Sequence, residues 1–175
     1  MLTPGWSGVA VALALLTFTQ SPPTMAAVAV FTANVERTWP ADDREPFVTL
    51  EALRLMGAAV GTITADRKID NAKLKQSIDA FTAARAQLEP SKIGDDEKPP
   101  LVRDALIKGA MMVEALTTAT RRDDSTTRSR VAELKRSADA LDRKRKLTEQ
   151  ADLLQRYFHQ VSELLKMFGD PAANT

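Results

Sequence analysis

The spacing of apolar residues constrains the fold of this chain most. Between residues 50 and 169, apolar side chains recur every three or four positions, and no stretch alternates apolar and polar residues as a half-buried strand does. A helix with one apolar face must bury that face against other helices. The sequence therefore predicts an all-α fold: an up-and-down bundle of four to five helices with an extended, uncharged N-terminal leader.

Residues that begin or end helices separate five periodic stretches. The first stretch follows Pro46 and Thr49, and Gly57 and Gly61 in it form a small-residue pair that permits close helix approach. The predicted caps and stops of the later stretches are Asp70, Pro90, Asp123-Asp124-Ser125, Thr148, Gly169 and Pro171. The stripe of the last helix consists of Leu154, Tyr157, Phe158, Val161, Leu164, Leu165 and Phe168.

The charged residues are confined to one part of the chain. No charged side chain occurs from Met1 to Val35, and all 47 lie from Glu36 onward. The apolar run 8–17 is shorter than the roughly 20 residues that cross a membrane, and its length is typical of a signal-peptide core. Ala27-Val28-Ala29 matches a small-x-small cleavage site. Residues 1–29 are therefore interpreted as a targeting leader. The alternative is that residues 8–31 form an ordinary apolar N-terminal segment packed on the body or on a neighbour.

The distribution of charged residues, the leader and the periodic stretches together predict a domain organisation with four parts. They are the leader 1–29, an extended N-terminal arm 30–46, the helical bundle 47–169 and a C-terminal tail 170–175.

Composition excludes most metal and nucleophile chemistry. The chain has no cysteine, which excludes disulfides, thiolate metal sites and cysteine nucleophiles. It has one histidine, His159, and its seven glycines form no phosphate-binding loop. We therefore predict no metal site and no cofactor. A four-helix haem protein could use His159 with a methionine such as Met56, but helical spacing puts His159 on a polar face beside the inward-pointing Phe158.

Three carboxylate pairs are candidates for acid–base chemistry. Asp42/Asp43, Asp95/Asp96 and Asp123/Asp124 all occupy predicted loops or helix starts. Aspartate at such positions accepts hydrogen bonds from backbone N–H groups, so capping is the preferred interpretation.

A basic segment is the strongest candidate for a binding surface. Residues 121–146 contain ten bases and five acids, a local net charge of +5. The predicted partner-binding residues are Arg143, Lys144, Arg145 and Lys146 at a helix end, followed by Arg121 and Arg122. Such a patch would dock on an acidic surface in a salt-dependent way, unless it is a solvated helix end. Nucleic acid is not expected, since the run contains no interleaved aromatic residues and no recognised motif.

Residues 137–169 resemble the C-terminal part of PsbQ, the small extrinsic lumenal subunit of photosystem II. The likeness lies in Leu141-Asp142 with the basic run that follows, the pair Tyr157-Phe158, and then Val161-Ser162, Leu165 and Gly169 on one last helix. Asp66-Arg67-Lys68 is similar to the first inter-helix break of that family.

The resemblance implies a non-catalytic subunit in the thylakoid lumen, peripheral to the membrane. Its partners would be the lumenal loops of the photosystem II core antenna and other extrinsic subunits, and it would help to retain calcium and chloride at the oxygen-evolving complex. An uncharged leader ending in Ala-x-Ala would suit thylakoid transfer. The alternatives are a haem-binding electron carrier and an exported helical scaffold with an unknown partner.

Overall fold

The structure is a computed structural model that describes residues 23–37, 45–89 and 93–169, with only the backbone for 45–48. The described residues are helical and contain no strand. The elements are α1 (Pro23–Glu36), α2 (Glu45–Asp66), α3 (Ala72–Ala86), α4 (Lys98–Ala119), α5 (Ser125–Asp139), a 3₁₀ turn (Leu147–Gln150) and α6 (Ala151–Gly169). Outside the described residues lie the predictions for most of the leader, Asp42/Asp43, Pro90, Pro171 and the tail.

Buried apolar side chains confirm the predicted stripe of the last helix. Val131, Leu134 and Ala138 of α5 are buried, and so is every predicted stripe residue of α6. Helix α6 packs against α1, α2, α4 and α5, while α3 lies mainly against α4. The core is therefore one cluster to which all six α-helices of the described part contribute.

Helix α1 is not among the predicted helices, although its first residues fall within the apolar segment that the alternative to a leader packs on the body. Residues 30–36 are helical where an extended arm was predicted, because Val28, Phe31 and Val35 share one face and are buried in the core. Helix α1 lies against α2 and α6, and the Thr24 hydroxyl donates to Asp66 Oδ2 at 2.6 Å. One helix thus runs across the predicted cleavage point after Ala29, and the cleavage itself stays a prediction. None of the described helices is long and apolar enough to cross a membrane.

Helix boundaries agree with the predicted caps at one position and differ at three. Asp124 is the N-cap of α5, and its carboxylate accepts from the Thr127 N–H at 2.8 Å, as predicted. Asn71, not Asp70, caps α3. Thr148 caps nothing because it lies inside the 3₁₀ turn, and Thr49 lies inside α2, which begins at Glu45.

Among the glycines of the described residues, the one with the least room for a side chain lies outside the predicted pair. A Cβ added at Gly109 of α4 would lie 2.7 Å from the Tyr157 hydroxyl oxygen and 2.9 Å from Met56 Cε. Of the predicted pair, only Gly57 has little room, since an added Cβ would lie 3.0 Å from the Phe81 ring. A Cβ added at Gly61 would face open space. The missing side chain at Gly109 lets the Tyr157 hydroxyl donate to the Leu106 carbonyl at 2.7 Å.

We expect Gly109→Ala to destabilise the fold by about 1–3 kcal/mol through overpacking, despite the roughly 1 kcal/mol that alanine gains over glycine in a helix. Tyr157→Phe should cost about 1 kcal/mol for the lost hydrogen bond. The double variant should cost clearly less than the sum, because the added methyl group no longer meets a hydroxyl. Urea unfolding followed by circular dichroism measures all three, and strictly additive costs would contradict this contact.

Candidate docking surface

The basic loop, Arg143–Lys146, connects α5 to the 3₁₀ turn. All four side chains are exposed. The run does not form a helix C-terminus as predicted, because α5 ends at Asp139. Its flanking residues Leu141 and Leu147 are 2% and 5% exposed, so the core holds both ends of the loop.

Gln150 fixes the path of the basic loop. Its side chain is 6% exposed, its Oε1 accepts from the Asp142 N–H at 2.7 Å, and its Nε2 donates to the carbonyls of Asp142 and Arg145 at 3.0 and 2.9 Å. The Asp142 carboxylate in turn accepts from the Lys144 N–H at 2.8 Å. A buried amide that meets several backbone groups holds the loop in one shape, with the bases pointing outward.

No sequence pattern predicts the role of Gln150. The residue lies between polar and small neighbours, where a glutamine is normally a solvated surface residue. Only the folded path of the chain brings the backbone of residues 142–146 within reach of its amide.

The basic loop carries little internal charge compensation. The Arg145 Nε atom lies 3.3 Å from Glu149 Oε2. Within the described ranges 23–37, 45–89 and 93–169, Arg143, Lys144 and Lys146 form no salt bridge. The four bases line an open cavity of about 270 Å³, whose other walls are Asp95, Asp96 and Pro99 at the start of α4.

Arg121 and Arg122 lie at the other end of the molecule. Pro99 at the start of α4 borders the basic loop, whereas Arg121 and Arg122 follow the end of this 22-residue helix, about 33 Å away. The structure therefore does not bring the two predicted groups together as one patch.

Arg122 has a structural role that the sequence analysis did not identify. Its guanidinium donates to the Met167 carbonyl at 2.8 Å and lies 5.2 Å from the centre of the Phe168 ring. Arg67 donates to the Phe168 carbonyl at 3.2 Å and lies 5.4 Å from the same ring. Two arginines from different loops thus satisfy carbonyls at the C-terminus of α6, where the helix dipole also favours positive charge. Arg121 is exposed, with a φ of 56°.

The position of His159 agrees with its predicted surface location. The side chain is exposed on α6, in an open depression with Asp152, Gln155, Arg156 and Val35. Met56, its hypothetical partner for haem, has no exposed surface in the core. This difference in burial does not support the two residues as a pair of haem ligands, and the haem alternative stays a prediction.

The described carboxylates act mainly as caps and ion-pair partners. The hydrogen bond from the Thr127 N–H lowers the pKa of Asp124. The hydrogen bond from Lys98, at 2.9 Å, lowers the pKa of Asp95, with a further contribution from the charge of Lys146. In the part of the chain that the structure describes, no group of three or more His, Asp or Glu side chains is arranged to hold a metal ion.

Comparisons with known protein families, with curated proteins and with solved structures find no match to this chain.

We expect Gln150→Ala to loosen the basic loop, because three backbone groups lose a buried partner. Trypsin cleavage after residues 143–146 should become faster in native buffer, as measured by mass spectrometry of the fragments over time. Gln155→Ala on the exposed face of α6 is the control and should leave the rate unchanged. Equal cleavage rates in both variants would contradict the role assigned to Gln150.

Substitution of Arg122 should lower stability much more than the same change at Arg121. Arg122→Gln removes a charged donor from a helix carbonyl and a cation–π contact, a loss of about 1–3 kcal/mol. Arg121→Gln retains the unusual backbone conformation and is expected to change stability by less than about 0.5 kcal/mol. Thermal unfolding of both variants provides the comparison, and similar midpoints would show that the Phe168 cluster contributes little.

Proposed function

We propose that this chain is a non-catalytic extrinsic subunit of photosystem II on the lumenal side of the thylakoid membrane. It docks through the basic loop onto acidic surfaces of the core antenna loops and of other extrinsic subunits. Docking stabilises the oxygen-evolving complex and limits the loss of calcium and chloride. The likeness of residues 137–169 to PsbQ suggests this partner.

One structural observation carries the docking part of the proposal: four exposed bases are held in a fixed loop by the buried Gln150. A loop that is already ordered loses little conformational entropy when it binds. Clustered cations accelerate encounter with an acidic surface and make the binding sensitive to salt. Arg121 and Arg122 are not part of this proposed surface, because they lie at the other end of α4.

The proposal includes the up-and-down order of the helical bundle. Contacts at the helix ends support that order. Arg67 after α2 and Arg122 after α4 both reach the C-terminus of α6. At the other end, Arg103 near the start of α4 binds Asp139 at the end of α5, at 3.1 Å. Helices α2, α4 and α6 then run one way and α3 and α5 the other, so that the basic loop projects from one end of the bundle.

The test is reconstitution on photosystem II membranes from which the extrinsic subunits have been washed. We expect the wild-type chain to bind at low ionic strength and to be released by about 1 M salt, because the Debye length there is only about 3 Å. Arg143→Glu/Lys144→Glu should lose most of the binding, as measured by co-sedimentation.

Lys73→Glu/Lys75→Glu on α3 is the matched control. Both residues are exposed, and the change in net charge is the same. Retention of the wild type in molar salt, or equal binding by the two variants, would contradict docking through the basic loop. Failure of the wild type to bind at any salt concentration would eliminate photosystem II as the partner.

A further inference from the structure

The cavity beside the basic loop is not uniformly positive. Asp95 and Asp96 line the same cavity as Arg143–Lys146. The Asp95 side chain is 80% exposed and is paired with Lys98. Asp96 is also exposed and, within the described part of the chain, forms no salt bridge. An acidic segment that enters the cavity to reach the bases must therefore lie near two carboxylates of this chain.

These carboxylates are not required to shape the loop. The loop is held by Gln150 and by the Asp142 carboxylate. The Asp95–Lys98 pair joins residues three positions apart at the surface, and pairs of this kind contribute little to stability. Asp95 and Asp96 thus act on the basic loop mainly through their charge.

Charges of opposite sign that line one cavity affect different ligands in opposite ways. A segment that is acidic throughout gains attraction from the loop and is repelled by Asp95 and Asp96. A segment with a base next to its acids can direct the acids to Arg143–Lys146 and the base to the aspartates. Repulsive elements of this kind produce specificity by weakening the wrong complex.

We infer that Asp95 and Asp96 are specificity-determining residues of the docking cavity, which select acidic partner segments that also carry a basic residue. The inference rests on the proposed function, since it specifies the partner of the same surface. It assigns a role to the loop before α4.

The experiment uses two dodecapeptides and the full chain at about 0.1 M ionic strength, where charges more than about 10 Å apart are largely screened. One peptide contains glutamate only, and in the other every fourth residue is lysine. Affinities are measured by fluorescence anisotropy of the labelled peptides. Asp95→Asn/Asp96→Asn should raise the affinity for the glutamate peptide about three- to tenfold. The affinity for the lysine-containing peptide should rise less than twofold or fall.

Asp70→Asn/Asp123→Asn is the control with the same change of charge at the other end of the molecule, and should leave both affinities within a factor of two. Equal factors for the two peptides, no change in either, or no binding of either peptide to the wild type would overturn the inference. The proposed function fails separately, if Arg143→Glu/Lys144→Glu binds photosystem II membranes as well as the wild type does. If that variant loses membrane binding but Asp95→Asn/Asp96→Asn changes the affinity for both peptides by the same factor, the docking surface stands. Only the specificity role of the two aspartates is then rejected.

Discussion

The hydrogen bond from the Tyr157 hydroxyl to the Leu106 carbonyl fixes helix α6 against α4. It forms in a fully buried position, and burial raises the pKa of Tyr157. A phenol in such a place must remain protonated and must find an acceptor, because an unsatisfied buried hydroxyl is costly. Gly109 supplies the space on α4 that the Tyr157 hydroxyl occupies, because a Cβ at this position would lie 2.7 Å from the hydroxyl oxygen. The edge-on contact of Tyr157 with Phe158, at 5.3 Å between ring centres, extends the packing along α6.

The position of α6 determines which residues its two ends contact. At its start, Gln150 lies in the 3₁₀ turn that leads directly into the helix, so the depth of α6 in the core sets the depth of the amide that holds the basic loop. At its end, the carbonyls of Met167 and Phe168 emerge beside loops that supply Arg122 and Arg67. A cationic region thus lies at each end of α6. At the C-terminus the arginines bind backbone carbonyls, and before the N-terminus the bases of the basic loop face solvent.

Periodicity was sufficient to predict the core, because burial of one face per helix is the strongest constraint on these residues. It failed for α1, where an uncharged stretch rich in alanine and valine fits a leader as well as a packed helix. It also failed at Asp70, because Asn71 is an equally good cap and the choice depends on the phase of α3. The role of Gly109 could not be identified, because it depends on a contact with Tyr157, 48 residues further along the chain. The role of Gln150 could not be identified either, because it depends on a backbone path that no local sequence pattern indicates.

The two basic groups show why charge in a sequence is a weak guide to a binding surface. Arg122 and Arg143 belong to the same basic segment, yet of these two only Arg122 bonds to a carbonyl at a helix C-terminus within the described residues. The last carbonyls of a helix have no partner within it, and an arginine that reaches them satisfies that need with a strong, charge-assisted bond. Such an arginine would lose this bond on binding elsewhere, which opposes docking. A base on a loop held by a different residue meets no such opposition, so its charge is available to a partner at little cost to the fold. Arg143 and its neighbours meet this condition because Gln150, and not the bases themselves, maintains the loop.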